Sequence, residues 1–181
     1  PEVERGVRGG FRDPWENSWY VDGMIAFTQN NYNNSRSIYL GGNDRTATSD
    51  SHGQEYSTRY EFGYTFLFDI TRNLQVTPFT SLQYGYLYQN AYTEKGAGAL
   101  NLHVDGQGYN MLEQGLGTKL AYPVLLEEMS PNIGTLIPAI KIAWLYDYIG
   151  DKFEATSTYQ GGGPAFTTNG PNPAKSGLLL G

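Results

Sequence analysis

Glu55, Arg59 and Glu61 stand four and two positions apart in one short stretch. On an extended backbone, side chains alternate between faces, so the three odd-numbered groups share one face. Two carboxylates beside a guanidinium could serve as an acid–base pair. They could equally form a charge network across neighbouring strands, which is ordinary sheet chemistry and the plainer account. The other candidates are weaker. His52 and His103 are the only two histidines, and neither has a ligand-spaced partner, which argues against a metal centre. Ser51-His52 has no placed acid to complete a triad. Asp44, Asp50 and Asp69 lie in polar stretches without the spaced oxygen ligands of a calcium loop. The Gly161–Gly163 run is not followed by Lys-Ser/Thr, so it is no phosphate loop. With no cysteine, disulfides, thiolate metal sites and Cys nucleophiles are excluded. The expectation is a protein with no catalytic residue, no metal and no cofactor, and not an enzyme.

The elements that carry these residues are strands. From Tyr56 to Phe68 the even positions are Tyr56, Thr58, Tyr60, Phe62, Tyr64, Phe66 and Phe68, and the odd positions are charged or small apart from Leu67. A period of two separates these sets onto opposite faces of a strand, whereas a helix would mix them. The alternation recurs from Leu74 to Tyr88, with Leu74, Val76, Leu82, Tyr84, Tyr86 and Tyr88 on one face. It recurs over Leu100–Asp105, Leu112–Tyr122, Leu136–Tyr148 and Trp19–Thr28, with shorter strands expected near Phe153–Gln160 and from Ser176. Asn30–Ser35, Gly41–Gly53 and Gly161–Pro173 are rich in Asn, Gly, Ser, Asp or Pro and are expected as long loops. Asp69–Asn73 is expected as a tight polar connection, and Asp105–Gly108 as a hairpin turn with glycine at positive φ. Long loops alternate roughly with short turns, the asymmetry of a membrane barrel.

Composition narrows the class. Hydrophobic residues are 39% and charged residues 17%, with 23 glycines and 15 tyrosines in 181 residues. Such a balance suits twisted strands and turns better than helices. A net charge of −6 without a clustered Lys/Arg face speaks against a nucleic-acid partner. The best apolar run, Leu136–Leu145, is interrupted by Pro138 and Lys141 and falls short of the ~20 residues of a helical span. Any membrane crossing must then be made by a closed sheet. Several strands exceed the ~9–11 residues of a tilted crossing. A soluble barrel would point seven large groups of one strand into an interior with little room for them. An inside-out arrangement puts rings against lipid and charges in a polar lumen. Tyr56, Tyr60, Phe62, Tyr64, Phe66, Tyr84, Tyr86 and Trp144 are therefore expected to face lipid. Glu55, Arg59, Glu61, Asp105, Glu113, Lys119, Lys141 and Asp147 are expected to face the lumen. A soluble ligand-binding barrel is the alternative.

A family resemblance sharpens this. The stretch Tyr92-Thr93-Glu94-Lys95-Gly96-Ala97-Gly98-Ala99-Leu100-Asn101-Leu102 resembles the strand, aromatic-Thr-Glu turn and Gly/Ala segment of autotransporter (type V secretion) translocator domains. Leu74–Tyr88 with Pro78-Phe79, Leu116-Gly117-Thr118-Lys119-Leu120, Pro138–Tyr146 with Trp144, and Phe153–Phe166 with Gly161–Gly163 are similar to the family's flanking strands. The resemblance covers residues 17–181, with residues 1–16 an incoming segment or the end of a preceding strand. It implies an all-β, antiparallel, up-and-down transmembrane β-barrel of twelve strands, of which about eight are counted here. The count and the ending on Leu178-Leu179-Leu180-Gly181, without a terminal aromatic residue, lead to the expectation of a barrel domain incomplete at both ends. The resemblance further implies the outer membrane of a Gram-negative bacterium. Its implied partners are outer-membrane lipid, the chain's own N-terminal passenger and the barrel-assembly machinery. A passenger-free pore is the second possibility.

Overall fold

A computed structural model describes residues 3–9, 18–68, 74–125 and 135–181. Seven strands run as an antiparallel meander: β1 (Val3–Gly9), β2 (Ser18–Ile38), β3 (Arg45–Phe68), β4 (Leu74–Gln89), β7 (Gln107–Ala121), β10 (Ala139–Asp147) and β13 (Ser176–Leu180). The order in the sheet is the order along the chain, and β1 and β13 are its edges. The sheet is open among the described residues. The expected turn at Asp69–Asn73 lies outside them.

The Tyr56–Phe68 stripe lies on β3, and its face assignment carries through the register. Tyr60 stands opposite Leu82 of β4, Phe62 opposite Thr80, and Trp144 of β10 opposite Leu116 of β7. Opposed residues of paired strands share a face, so one surface is continuously aromatic and aliphatic. Trp19, Tyr60, Phe62, Phe66 and Trp144 are all exposed on it. Packing on the other face alternates large with small. Tyr20, Gly63, Phe79, Gly117 and Ala143 follow one another across β2, β3, β4, β7 and β10. A Cβ at Gly63 would come within 2.6 Å of Tyr20 Cζ, so only glycine leaves room for that ring. Pro78 sits inside this sheet although it has no N–H to give. The β3–β4 ladder is interrupted there, between Gly63–Phe79 and Phe66–Val76, and the Thr65 and Thr77 hydroxyls bond across the gap at 3.0 Å.

Two stretches expected as loops are strand instead. Asn30–Ser35 and most of Gly41–Gly53 extend β2 and β3 into a long hairpin whose register runs to Ile38↔Arg45. The sequence there is polar on both faces, and its alternation of small buried Ala47, Ser49, Ser51 and Gly53 carries no hydrophobic period. The strand Leu102–Val104 (β6) and the strand Glu154–Tyr159 (β11) form as expected from their alternation. They belong, however, to a second sheet, with β5 (Tyr92–Thr93) and β12 (Phe166–Asn169), in the order β12-β11-β6-β5. β12 falls inside the expected Gly161–Pro173 loop. Asp105–Gly108 links β6 to β7 rather than closing a hairpin, and neither of its glycines has positive φ. A short ladder, β8 (Val124–Leu125) with β9 (Thr135–Leu136), lies at the opposite end of the main sheet.

The second sheet is held to the long hairpin by a built contact. Arg36 donates to both carboxylate oxygens of Glu94, at 3.1 and 2.5 Å, and to the Leu100 carbonyl at 3.0 Å. The Leu102 N–H donates to the same carboxylate at 2.9 Å. Arg45 donates to the Ala97 carbonyl at 3.0 Å, and Thr48 and Lys95 exchange backbone bonds at 2.8 Å each. Gly96, at φ +102°, passes close against the Thr46 carbonyl where a side chain would be both strained and obstructed. Bonding to Arg36 holds the Glu94 carboxyl below its ordinary 4.5. A carboxyl depressed in the folded state stabilises it above the unfolded value, and that contribution disappears as pH falls through the folded value. In detergent micelles the Leu102 amide resonance is therefore expected to stay fixed down to about pH 4.5 and to shift below it. Arg36→Met should move this transition to higher pH.

Candidate functional site

The inner face converges on Glu61. Glu61 is 6% exposed, and its carboxylate is contacted from three other strands. Tyr20 of β2 donates its hydroxyl at 2.8 Å, Lys119 of β7 forms an ion pair, and Lys141 of β10 forms another at 3.0 Å. Arg59, on the same strand, approaches the second oxygen at 3.4 Å. Lys119 also donates to the Tyr20 hydroxyl at 2.8 Å. Phe79 of β4 lies beneath both ammonium groups, 5.1 Å from Lys119 Nζ and 4.4 Å from Lys141 Nζ at its centroid, where the ring's negative face attracts cations.

The register explains why such a contact exists. Lys119 and Lys141 are directly opposed on adjacent strands, an arrangement that is repulsive unless an anion intervenes. In a flat sheet β3 and β10 would be about 14 Å apart, too far for Glu61 and Lys141 to meet. Their contact requires the sheet to curl toward this face. The aromatic surface is then convex and the charged one concave, as a barrel wall demands. A cavity of about 320 Å³ opens beside the cluster, lined by Asp22, Gly23, Met24, Arg59, Glu61, Lys119 and Lys141.

The expected lumen residues are distributed as follows. Arg59, Glu61, Lys119 and Lys141 are brought together. Glu113 lies on the same face, opposed to Gln83 and Asp147, and Glu55 lies there opposite Thr28, six residues from Glu61 toward the long hairpin. Asp147 caps the end of β10, accepting from the Leu112 and Ile149 amides at 3.2 and 3.1 Å. Asp105 is not on this face. It lies in the link between β6 and β7, 3.5 Å from His103, because the alternation around it builds the second sheet. Of the residues expected to face lipid, Tyr56, Tyr60, Phe62, Tyr64, Phe66, Tyr84 and Trp144 are exposed on the convex face, and Tyr86 shares that face half-buried. Tyr20 and Phe79 were not among the expected site residues. Their signal is one of parity: Phe79 is the one ring on the odd set of β4, and Tyr20 falls with Asp22 and Thr28 on the set of β2 opposite Trp19, Val21 and Ile25. Among the described residues no cluster of three or more His, Cys, Asp or Glu could hold a metal ion.

Chemically, the arrangement fixes charges rather than activating them. Both oxygens of Glu61 are committed to cations and a hydroxyl, and the remaining donor capacity of Lys119, Lys141 and Arg59 faces a polar cavity. Removing Glu61 would take away the carboxylate that Arg59, Lys119 and Lys141 share. Glu61→Ala is expected to cost about 2–4 kcal/mol, because a partly buried charge without its partner is strongly destabilising. The urea midpoint of the folded, heat-modifiable form measures this. Glu61→Asp should recover part of the loss.

Comparison with known proteins agrees with this architecture. The family model of the autotransporter β-domain matches residues 5–181. Esterase EstA of Pseudomonas aeruginosa is 28% identical over 108 residues, covering 59% of this chain and 17% of that protein. Outer membrane protein A of Rickettsia conorii is 25% identical over 136 residues, covering 71% of this chain and 7% of the relative. The surface-exposed virulence protein BigA of Salmonella typhimurium, itself named as a putative one, is 28% identical over 108 residues, covering 60% of this chain and 5% of the relative. The chain thus spans less than a fifth of the length of these curated relatives. An all-β antiparallel wall, a convex aromatic face, a concave charged one and a family match over nearly the whole sequence place it in the Gram-negative outer membrane, and the chain belongs to the autotransporter β-domain family.

Proposed function

We propose that this domain anchors an N-terminal passenger in the outer membrane and provides its route to the cell surface. The observation that carries the proposal is the concave wall around Glu61. Lys119, Lys141 and Arg59 offer donors to a cavity that also exposes Asp22 and the Gly23 backbone. A wall of this kind can satisfy the amides and carbonyls of a polypeptide within a membrane, where unsatisfied groups cost several kcal/mol each. Among the described residues β1 and β13 are the edges of the seven-stranded sheet, and the barrel-assembly machinery is the agent of its insertion and closure. Residues 18–28 and 56–68 cross the hydrocarbon layer with Trp19, Phe62 and Phe66 against lipid. The polar part of the long hairpin and the second sheet stand outside it. We assign the barrel no catalytic step. Any activity of the kind named for an esterase relative resides in the passenger.

The full-length protein, tagged at its N-terminus and produced in a Gram-negative host, tests this. Antibody and protease added to intact cells are expected to reach the tag in the parental protein. A tag found only in the periplasm, together with a large steady conductance of the purified barrel in planar bilayers, would indicate a pore instead.

A further inference from the structure

The second sheet continues four strands of the wall. β5 follows β4, β6 precedes β7, β11 follows β10 and β12 precedes β13, and the order β5-β6-β11-β12 repeats the order of those four strands. Opposed residues share a face, so its outward face can be traced by register. Thr48 and Tyr56 have the same parity on β3, and the β2–β3 register runs unbroken between them. Lys95 is opposed to Thr48, Thr93 to His103, and His103 to Thr158. Thr156, on the same side of β11, is opposed to Thr167. The Thr93 hydroxyl lies 2.8 Å from His103 Nδ1, and the Thr156 and Thr167 hydroxyls lie 3.2 Å apart, as neighbours on one face should. Glu94 falls on the opposite face, with Arg36. The outward face of the second sheet is thus the convex face of the wall carried on beyond its rings. The chemistry of that face changes at one level. Phe27, Tyr56 and Tyr86 are opposed in a row across β2, β3 and β4. Beyond the row, β2 and β3 present Gln29, Asn31, Gln54, His52 and Thr48, with neither an aliphatic side chain nor a Phe, Tyr or Trp ring. The second sheet adds the hydroxyls of Thr93, Thr156, Thr158 and Thr167. The charges on this surface are Lys95 against Asp50, Asp105 and Glu154.

We propose that this hydroxyl-rich face is a docking surface for the saccharide headgroups of the outer-leaflet glycolipid. It rests on the reading above that the convex face meets lipid. Three observations select this occupant. The face is continuous with the aromatic one, so a lipid whose chains lie against Phe62 and Tyr60 carries its headgroup past the Tyr56 row to Thr48 and Thr158. Rings such as those of the Phe27–Tyr56–Tyr86 row belong at the level where hydrocarbon gives way to headgroups. Hydroxyls and amides both donate and accept, which matches the hydroxyls of a sugar. The charge balance, one ammonium against three carboxylates, disfavours phosphate and leaves the neutral sugars as the partner. The sheet sets these hydroxyls on a flat grid, about 5 Å across strands and about 7 Å along them, so several can engage one saccharide chain at once.

The full-length protein is reconstituted in phospholipid vesicles that contain either lipopolysaccharide with its core sugars or lipid A alone. The lifetime of the heat-modifiable band at one elevated temperature is compared between them. Core sugars should lengthen it about tenfold, the worth of one to two hydrogen bonds. A variant with Thr156→Val, Thr158→Val and Thr167→Val keeps the shape and strand preference of the face but not its hydroxyls. Its gain from core sugars should fall to about twofold. Independently, a full-length form whose only cysteine is Thr158→Cys is treated with a water-soluble maleimide. Core sugars should slow its labelling about fivefold, as partial occupancy by a bound group would. Labelling of Phe166→Cys, on the opposite face, should not slow. An undiminished gain in the triple variant overturns the proposal, as does equal slowing at both cysteines. Dextran added to lipid A vesicles that protects Thr158→Cys as well as core sugars do also overturns it. If the triple variant fails to assemble, the labelling alone decides. Tyr60→Cys that reacts freely in both vesicles overturns the lipid-facing reading, and this inference with it. Tyr60→Cys shielded in both, with Thr158→Cys indifferent to core sugars, refutes the glycolipid surface alone.

Discussion

Glu61 sits where four strands of the wall must agree. Lys119 and Lys141 face each other across the β7–β10 ladder, and the carboxylate of β3 holds them together above the Phe79 ring. The contact needs curvature, and curvature decides which face is inside. Once the charged face is concave, the aromatic face is the convex one, and turning the wall round would strand ions in hydrocarbon. Gly63 and Gly117 belong to the same constraint. Side chains at those positions would meet the Tyr20 ring and the Ala143 methyl, and the inward curl would be lost.

Toward the long hairpin the same logic operates through polar contacts. The polar hairpin of β2 and β3 has no apolar face to anchor it. It gains definition from the second sheet through Arg36, Arg45 and the Thr48–Lys95 pair. Exposed ion pairs are generally worth little. Here Glu94 is buried and bonded at both oxygens, by a guanidinium and an amide, so geometry rather than charge alone does the holding.

What could be read from the sequence follows what is local. The Tyr56–Phe68 stripe announced a strand and its two faces, because period two is written in consecutive residues. The membership of Arg59, Glu61, Lys119 and Lys141 in one face was legible for the same reason. Their meeting at a single carboxylate was not, since it depends on the curl and register of strands up to 80 residues apart. Asn30–Ser35 and Gly41–Gly53 read as loops because Asn, Ser and Gly mark turns when no hydrophobic period contradicts them. Ladder pairing with a partner strand overrode that preference. Of the Leu100–Asp105 alternation, Leu102–Val104 is strand and Leu100 ends a 3-10 turn, and period two says nothing about which sheet a strand joins. Asp105 was misplaced on that account.

The central claim is that odd and even positions of β3 meet different solvents. The sequence contains no cysteine, so single cysteines can be placed from residue 55 to residue 68 of the assembled barrel in lipid vesicles, leaving out Glu61 and Gly63. Each is labelled with an environment-sensitive fluorophore and challenged with a lipid-dissolved and a water-dissolved quencher. Even positions from 56 to 66 should respond to the lipid quencher, and the odd positions between them to the aqueous one, with a clean period of two. Uniform response to the aqueous quencher, or an alternation of opposite sense, would contradict the account.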